Sequence, residues 1–295
     1  MNIHNIKNFL VLGSGTLGLR VGLQAALSGF ETTIYDITEK SFELAKATHL
    51  KIGKSLVKQQ RYTEEQLSEA LERITFTTNA EEAARNADFI NESVPEELSI
   101  KQAVWKQFGE LCPEHTIFTT NTSTLLPSMM AESTGRPALF CAFHFHDVFL
   151  ANLVDIMPHP TTSQSVIDLL YDMAKKLNQV SVLVKKENSG YLFNAILLKI
   201  LGAAGDLLVN DVAAIEDIDR SWMVNFKAPM GPFGILDTVG LETAWHVTKN
   251  IDRPNSKKFA ALLKSYIDEG KLGVKTGEGF YKYPQPIYKE PEFIK

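Results

Sequence analysis

Apolar and polar positions in the first half of the chain follow two alternating rhythms. Lys7–Leu12 (KNFLVL) is a short apolar run of the kind shown by a strand buried on both faces. From Thr16 to Ser28 the spacing is helical, with Gly29 placed to end the helix, and Glu31–Asp36 (ETTIYD) reads as a second strand. Further β-like runs fall at Ile74–Thr77, Asp88–Asn91, Thr116–Thr119 and Ala138–Phe143, with helical stretches such as Glu81–Asn86 and Glu97–Glu110 between them. Strands interleaved with helices predict βαβ units and a parallel sheet. One crossover, about residues 39–73, is longer than such a unit needs. It holds a Lys-bearing helical stretch to about Gln60, then Thr63-Glu64-Glu65-Gln66, a capping box that opens a second helix. This helical pair is expected to project from the sheet. From about residue 186 strand-like alternation ceases. Gly190–Leu208 is a long, strongly apolar helical segment, followed by helical stretches at Ile218–Phe226, Phe233–Ile251 and Lys257–Glu269. The pattern predicts an α/β class with a doubly wound sheet domain over residues 1–185 and an all-α domain over 186–295.

Composition narrows the classes of function. With 44% apolar and 22% charged residues, the 295-residue chain is neither disordered nor fibrous. Thirty-five acidic against thirty basic residues leave a net charge of -5. That gives no general attraction to nucleic acid or anionic membranes, and neither is expected as a partner. The local exception is the helical pair, which carries Lys46, Lys51, Lys54, Lys58 and Arg61: a solvated helix face, or a grip for a phosphorylated ligand. No apolar run approaches the ~18 residues that span a bilayer, and the amino terminus lacks the pattern of a signal peptide. Two cysteines, Cys112 and Cys141, are too few for a disulfide framework, so a cytoplasmic location is expected.

Gly13-Ser14-Gly15-Thr16-Leu17-Gly18 is a G-x-G-x-x-G fingerprint with a predicted strand before it, a helix after it and Asp36 at the end of the next strand. Gly13 permits the tight turn, Gly15 lets the backbone approach a pyrophosphate, and Gly18 lets helix and strand pack closely. Thr16 and Leu17 open the helix whose positive end faces the diphosphate. Asp36 is placed to accept from the adenosine ribose hydroxyls. With no nearby Arg, it favours NAD over NADP, whose 2′-phosphate would meet a like charge. The sheet domain is therefore Rossmann-type.

Three segments fall where the carboxyl ends of the strands should lie: Glu92–Glu96 (ESVPE), Asn121–Thr124 (NTST) and Phe143–Asp147 (FHFHD). A fourth, Asn152–Ile156 (NLVDI), reads as an edge strand able to pair back against the His-bearing strand. Oxidising an alcohol needs a base for its proton, a hydride acceptor, and donors that hold the oxygen. An imidazole steered by a carboxylate supplies the base near neutral pH. His144 and His146 lie two apart on a strand and so point to one face. With Asp147, Asp155 and His159 they also raise the question of a metal, but no second ligand cluster with metal-type spacing accompanies them, and no metal is expected.

These residues, in this order, resemble the short-chain L-3-hydroxyacyl-CoA dehydrogenase family, which includes 3-hydroxybutyryl-CoA dehydrogenases. The resemblance runs along nearly the whole chain through GSGTLG, ESVPEELSIKQ, NTSTL, FHFHDV, LVDI, SGYLFN, PMGPFGILDTVGLE and KTGEGFYKY. It implies that His144, in the HFFNP-type segment, is the catalytic base and that Asp155 is its acidic partner. It further implies that Ser123 bonds the substrate oxygen and that Asn194 contacts the substrate in a cleft between the domains. Glu96, Lys101, Ser123 and Lys275 would line the NAD site, with Asp147 near the nicotinamide. The basic helical pair would hold the CoA of an acyl-CoA substrate through Ser55, Lys58 and Arg61. The implied reaction is reversible oxidation of an L-3-hydroxyacyl-CoA to the 3-ketoacyl-CoA, in fatty acid metabolism. A homodimer through the apolar helical domain is also implied.

The chain departs from the family pattern at three places. HFFNP becomes His144-Phe145-His146-Asp147-Val148, the dyad Glu becomes Asp155, and the Arg usual after the second-domain Asn is Ala195. Asp147 adds a carboxylate that would raise the pKa of His144, or stay protonated if buried near Asp155. Two other readings stay open: a dehydrogenase of a free 3-hydroxy acid or sugar acid, like the L-gulonate dehydrogenases and lambda-crystallins, and a nucleotide-binding scaffold without catalysis.

Overall fold

A computed structural model describes residues 2–295, which divide into one compact unit ending at Leu192 and a second beginning at Phe193. The division falls a few residues beyond the expected boundary.

The first unit is built on one eight-stranded sheet. Its strands are β1 (Asn8–Leu12), β2 (Glu31–Tyr35), β3 (Ile74–Thr77), β4 (Phe89–Glu92), β5 (Ile117–Thr120), β6 (Phe140–Phe145), β7 (Leu153–Met157) and β8 (Val180–Leu183). Their spatial order is β3-β2-β1-β4-β5-β6-β7-β8. Neighbours run parallel except at β6 and β7, which pair antiparallel. Side-chain alternation sorts the apolar runs onto two faces. Phe9 and Val11 of β1 join one buried cluster with residues of α1 (Thr16–Leu27) and α6 (Gln164–Lys176). Leu10 and Leu12 join the opposite cluster with α4 (Ala80–Ala84) and α5 (Leu98–Leu111). Helices on both faces make this the expected doubly wound α/β layer.

Two expectations are corrected in this unit. The helical pair, α2 (Phe42–Lys58) and α3 (Glu64–Glu72), does not stand clear of the fold but packs on α1. Buried His49 of α2 places Nε2 2.7 Å from the Leu19 carbonyl of α1, and Leu56 enters the main core. The predicted capping box on Thr63 and Gln66 is present. In addition, β7 is no edge strand, because β8 continues the sheet beyond it.

The second unit is helical: α7 (Phe193–Val209), α8 (Ile215–Phe226), α9 (Pro232–Val239), α10 (Leu241–Thr248) and α11 (Ser256–Asp268) enclose one core with Tyr281, Tyr288 and Phe293 from the C-terminal segment. The single helix expected over Phe233–Ile251 is two, because Gly240 takes φ +93° and ends the first. Two buried carboxylates tie the unit together. Asp219 accepts from the Phe233 and Gly234 amides at the start of α9 and from the Tyr281 hydroxyl. Asp237 accepts from the Phe280 and Tyr281 amides and from the Tyr283 hydroxyl. These bonds hold the PMGPF…LDTVGLE and KTGEGFYKY segments against each other. Among the described residues no helix is long and apolar enough to cross a membrane.

Candidate active site

The chain reverses direction across the sheet at β1, whose neighbours are β2 on one side and β4 on the other. A crevice opens at such a switch point. There Gly13 takes φ +101°, and a Cβ on it would lie 2.7 Å from the Ser93 carbonyl oxygen after β4. A Cβ on Gly18 would lie 2.0 Å from the Gly13 oxygen, so helix and turn touch only because both residues are glycine. Gly15 differs: a Cβ there would meet nothing within 4 Å. It caps α1 without a side-chain hydrogen bond, which leaves the amides of the first turn, including Thr16 and Leu17, facing open space. Asp36, just past β2, accepts from the Ser14 amide at 2.8 Å and from the Ser14 hydroxyl at 2.6 Å, which fixes its carboxylate beside the cradle. An open amide-lined helix start beside a fixed acid fits a dinucleotide diphosphate and ribose.

Strand register builds the second part of the site. In the antiparallel β6–β7 pair His144 is directly opposite Asp155, so their side chains share a face of the sheet. His146, two residues on, shares that face. Asp155 Oδ2 lies 3.4 Å from His144 Nδ1 and 2.7 Å from His146 Nε2. Sequence reasoning gave Asp155 to His144 alone; the structure gives it two imidazoles, and His146 is the nearer. Asp155 is fully buried, and its Oδ1 meets no hydrogen-bond donor among the described residues. Burial works to raise its pKa, but hydrogen bonds from the two imidazoles outweigh that and hold the carboxyl below the usual range. Burial lowers the His144 pKa, Asp155 opposes that, and the charge of His146 adds to the lowering. One face of His144 is covered by Tyr191, stacked with centroids 4.7 Å apart. Tyr191 has φ +54° and donates its hydroxyl to the Thr122 carbonyl at 2.8 Å, tying the His144 face to the loop after β5. Its position in the SGYLFN segment was the signal for it; the role was not legible.

That loop carries Ser123 and is organised by Glu96. One carboxylate oxygen of Glu96, Oε1, accepts from the Thr122 hydroxyl at 2.6 Å, the Ser123 amide at 2.9 Å, and the amide and hydroxyl of Thr124 at 2.9 Å each. Burial acts upward on Glu96, but these bonds and the Lys101 ammonium hold its pKa down at about 2. Lys101 is itself sealed in the fold: its Nζ is 2.6 Å from Glu92 and 3.4 Å from Glu96. Asn121 accepts from the Phe145 amide at 2.8 Å and so links this loop to β6.

Asp147 departs from expectation. It forms an ion pair with Arg20 of α1 and accepts from the Phe149 and Leu150 amides, so its charge is matched by a guanidinium instead of acting on His144. Asp155 meets His144 and His146, not Asp147. Among the proposed CoA contacts, Lys58 is exposed at the end of α2 and the Ser55 hydroxyl accepts from Gln59. Arg61 donates to the Phe149 carbonyl at 2.7 Å. In the second unit, Asn194 sits in the first turn of α7, and Lys275 pairs with Glu242 of α10.

Two family models match the chain. The model described as 3-hydroxyacyl-CoA dehydrogenase, NAD binding domain, covers residues 8–188, and the model for the C-terminal domain of the same family covers 190–283. The chain is 33% identical over 294 residues to a mitochondrial hydroxyacyl-coenzyme A dehydrogenase of Homo sapiens, covering 94% of this chain and 91% of that one. Among solved structures, a diketoreductase described as catalysing reactions of dicarbonyl compounds is 39% identical, with TM-score 0.90 over 94% of this chain and 99% of its own. The (S)-3-hydroxybutyryl-CoA dehydrogenase of Ralstonia eutropha is 26% identical, with TM-score 0.85 over 95% of this chain and 100% of its own.

Proposed function

The chain belongs to the 3-hydroxyacyl-CoA dehydrogenase family, and from that membership we propose that it is an NAD-dependent oxidoreductase that interconverts L-3-hydroxyacyl-CoA and 3-ketoacyl-CoA. The observation that carries the catalytic part of this reading is the register of β6 and β7, which sets His144 against Asp155. With Nδ1 turned to Asp155, the other ring nitrogen of His144, Nε2, is the one that takes the substrate hydroxyl proton. Asp155 orients the ring and stabilises the imidazolium. Ser123, on the loop fixed by Glu96, and Asn194 hold the substrate oxygens. NAD, when bound, supplies the acceptor for the hydride that leaves carbon 3. The cradle of Gly13, Gly15, Thr16, Leu17 and Gly18 holds its diphosphate, and Asp36 its ribose. Glu96, Lys101, Ser123, Asp147 and Lys275 complete the cofactor site. Lys58, Ser55 and Arg61 grip the CoA. Free, buried Cys112 and Cys141 suit a reducing cytoplasm. Exposed Phe193, Ile196 and Leu207 of α7, with Val224 and Phe226 of α8, suit a homodimer through the helical unit.

The test is NADH consumption with acetoacetyl-CoA and longer 3-ketoacyl-CoAs, followed by absorbance. Turnover by the wild-type protein and its loss in His144→Gln support the reading; a fully active His144→Gln protein defeats it. The likeness to the diketoreductase favours a second reading, reduction of a free dicarbonyl compound. The bond from Arg61 to the Phe149 carbonyl, which engages one of the three CoA contacts implied by the family resemblance, points the same way. Under the first reading, Lys58→Glu combined with Arg61→Glu raises KM for CoA substrates only. Equal KM values before and after, with faster turnover of free diketones, select the second.

A further inference from the structure

Dehydrogenase chemistry at this site needs one imidazole and one carboxylate, yet the β6–β7 seam brings a second imidazole to the same carboxylate. His144, His146 and Asp155 offer ligand atoms that all lie within 4.8 Å of one another. Two neutral nitrogens and a carboxylate oxygen form a donor set for borderline divalent cations such as Zn2+. The 3.4 Å between His144 Nδ1 and Asp155 Oδ2 is close to the roughly 3.3 Å edge of a tetrahedron whose ligands stand ~2.0–2.1 Å from zinc. His146 Nε2, at 2.7 Å, is at hydrogen-bond distance and has to open by about half an ångström to reach the same edge. An independent sign of unmet demand is Asp155 Oδ1, a fully buried carboxylate oxygen that meets no donor among the described residues. His144 and Asp155 stand on paired strands, and His146 directly follows β6 with its amide bonded to the Leu153 carbonyl at 3.2 Å, so the backbone of all three ligands is already held.

We propose that this chain binds a Zn2+-class divalent cation through His144 Nδ1, His146 Nε2 and Asp155, and that the ion reversibly switches the dehydrogenase off. The switching half rests on His144 being the catalytic base. In the active ring the single proton sits on Nδ1, towards Asp155, and Nε2 keeps the lone pair that receives the substrate proton. A cation on Nδ1 displaces the proton held there; that proton moves to the Nε2 lone pair, and the base is gone. The His146 ring likewise carries its proton on Nδ1 once Nε2 is ligated. No proton, electron or co-reactant is consumed, and the cradle around Gly15 is untouched. The ion therefore lowers kcat while leaving NAD affinity as it was.

The test titrates metal-free protein with ZnCl2 by calorimetry and with CoCl2 by visible absorption, in parallel with turnover. The expected result is one ion per chain, a cobalt spectrum of tetrahedral character, inhibition that a chelator reverses, and an unchanged Kd for NAD. His146→Phe is expected to weaken Zn2+ by about 10–100-fold or more, to bleach the cobalt band, and to turn over in zinc at a concentration that stops the wild type. Absence of one-to-one binding, or binding by His146→Phe as tight as the wild type's, overturns the site. Tight binding at these residues with undiminished turnover overturns the switch. Failure of the underlying reading shows separately, as turnover by His144→Gln with no metal present.

Discussion

His144 and Asp155 face each other across the antiparallel seam between β6 and β7, with Nδ1 and Oδ2 3.4 Å apart. The register of two strands, rather than a loop, sets that distance. A general base of this kind contributes roughly 10²–10⁴-fold to a rate. His144→Gln is therefore expected to lose about that factor in kcat. The Gly-rich cradle lies on other strands, so NAD affinity, measured by fluorescence titration, should not change. A fall in NAD affinity that matches the fall in kcat would contradict this division of labour.

Asp36 is already held by two hydrogen bonds from Ser14, so it needs little reordering to receive a ribose. Hydrogen bonds to a charged group contribute about 1.5–3 kcal/mol. Asp36→Ala should weaken NAD by roughly tenfold or more. It should also narrow the gap between NAD and NADP, because the charge that repels a 2′-phosphate is gone. Equal NAD binding before and after the substitution would remove Asp36 from the ribose.

Much of the fold was legible because buried parallel strands are continuous apolar runs. Residues 74–77 match β3 to the residue, and the other predicted strands lie within a residue or two at each end. Position on a shared face was legible as well, since alternation puts His144 and His146 together. Alternation does not set interatomic distances, so the stronger hold of His146 on Asp155 stayed hidden. Arg20 and Asp147 are far apart in the sequence, and only folding makes them a pair. Sequence pattern assigned nothing between residues 158 and 179, although Val166, Leu169, Leu170 and Met173 of α6 keep helical spacing. The short β8, with Val180 58% exposed, shows no clean alternation.

Glu96 collects the loop from Thr122 to Thr124 on one oxygen. Glu96→Ala removes that acceptor and should free Ser123 from a fixed position. The expected outcome is a higher KM and a lower kcat together, with hydrogen exchange at the Ser123 and Thr124 amides rising. Unaltered exchange at those two amides would show that the loop is held by something else.

His49 is 1% exposed, and its ring contacts the Leu19 carbonyl where α2 docks on α1. Burial lowers its pKa, and the carbonyl opposes this without cancelling it. The unfolded chain therefore takes up a proton near pH 6.5 that the folded chain refuses. Stability should be complete above about pH 6.5 and fall as the pH drops towards the lowered folded value. His49→Gln keeps a donor for Leu19 and cannot titrate. Its Tm should fall less steeply between neutral pH and pH 5 than that of the wild type; parallel curves would clear His49 of any part in the acid limb.

Asp237 organises the helical unit from inside, at 1% exposure, accepting from the Phe280 and Tyr281 amides and the Tyr283 hydroxyl at 2.8–2.9 Å. Removing the carboxylate by Asp237→Ala leaves three donors without their partner, and each buried group left unsatisfied costs about 1–3 kcal/mol. Relaxation and entering water recover part of that, so the expected loss is roughly 2–5 kcal/mol in urea unfolding. Burial raises the Asp237 pKa, while the two amides and Tyr283 pull it back. An amide in its place keeps an acceptor oxygen for these donors, and a methyl group keeps none. Asp237→Asn should accordingly lose distinctly less than Asp237→Ala, since its oxygen still accepts one or two of the three bonds. Equal losses for the two variants would mean that the negative charge, and not the count of acceptors, holds the C-terminal segment to α9.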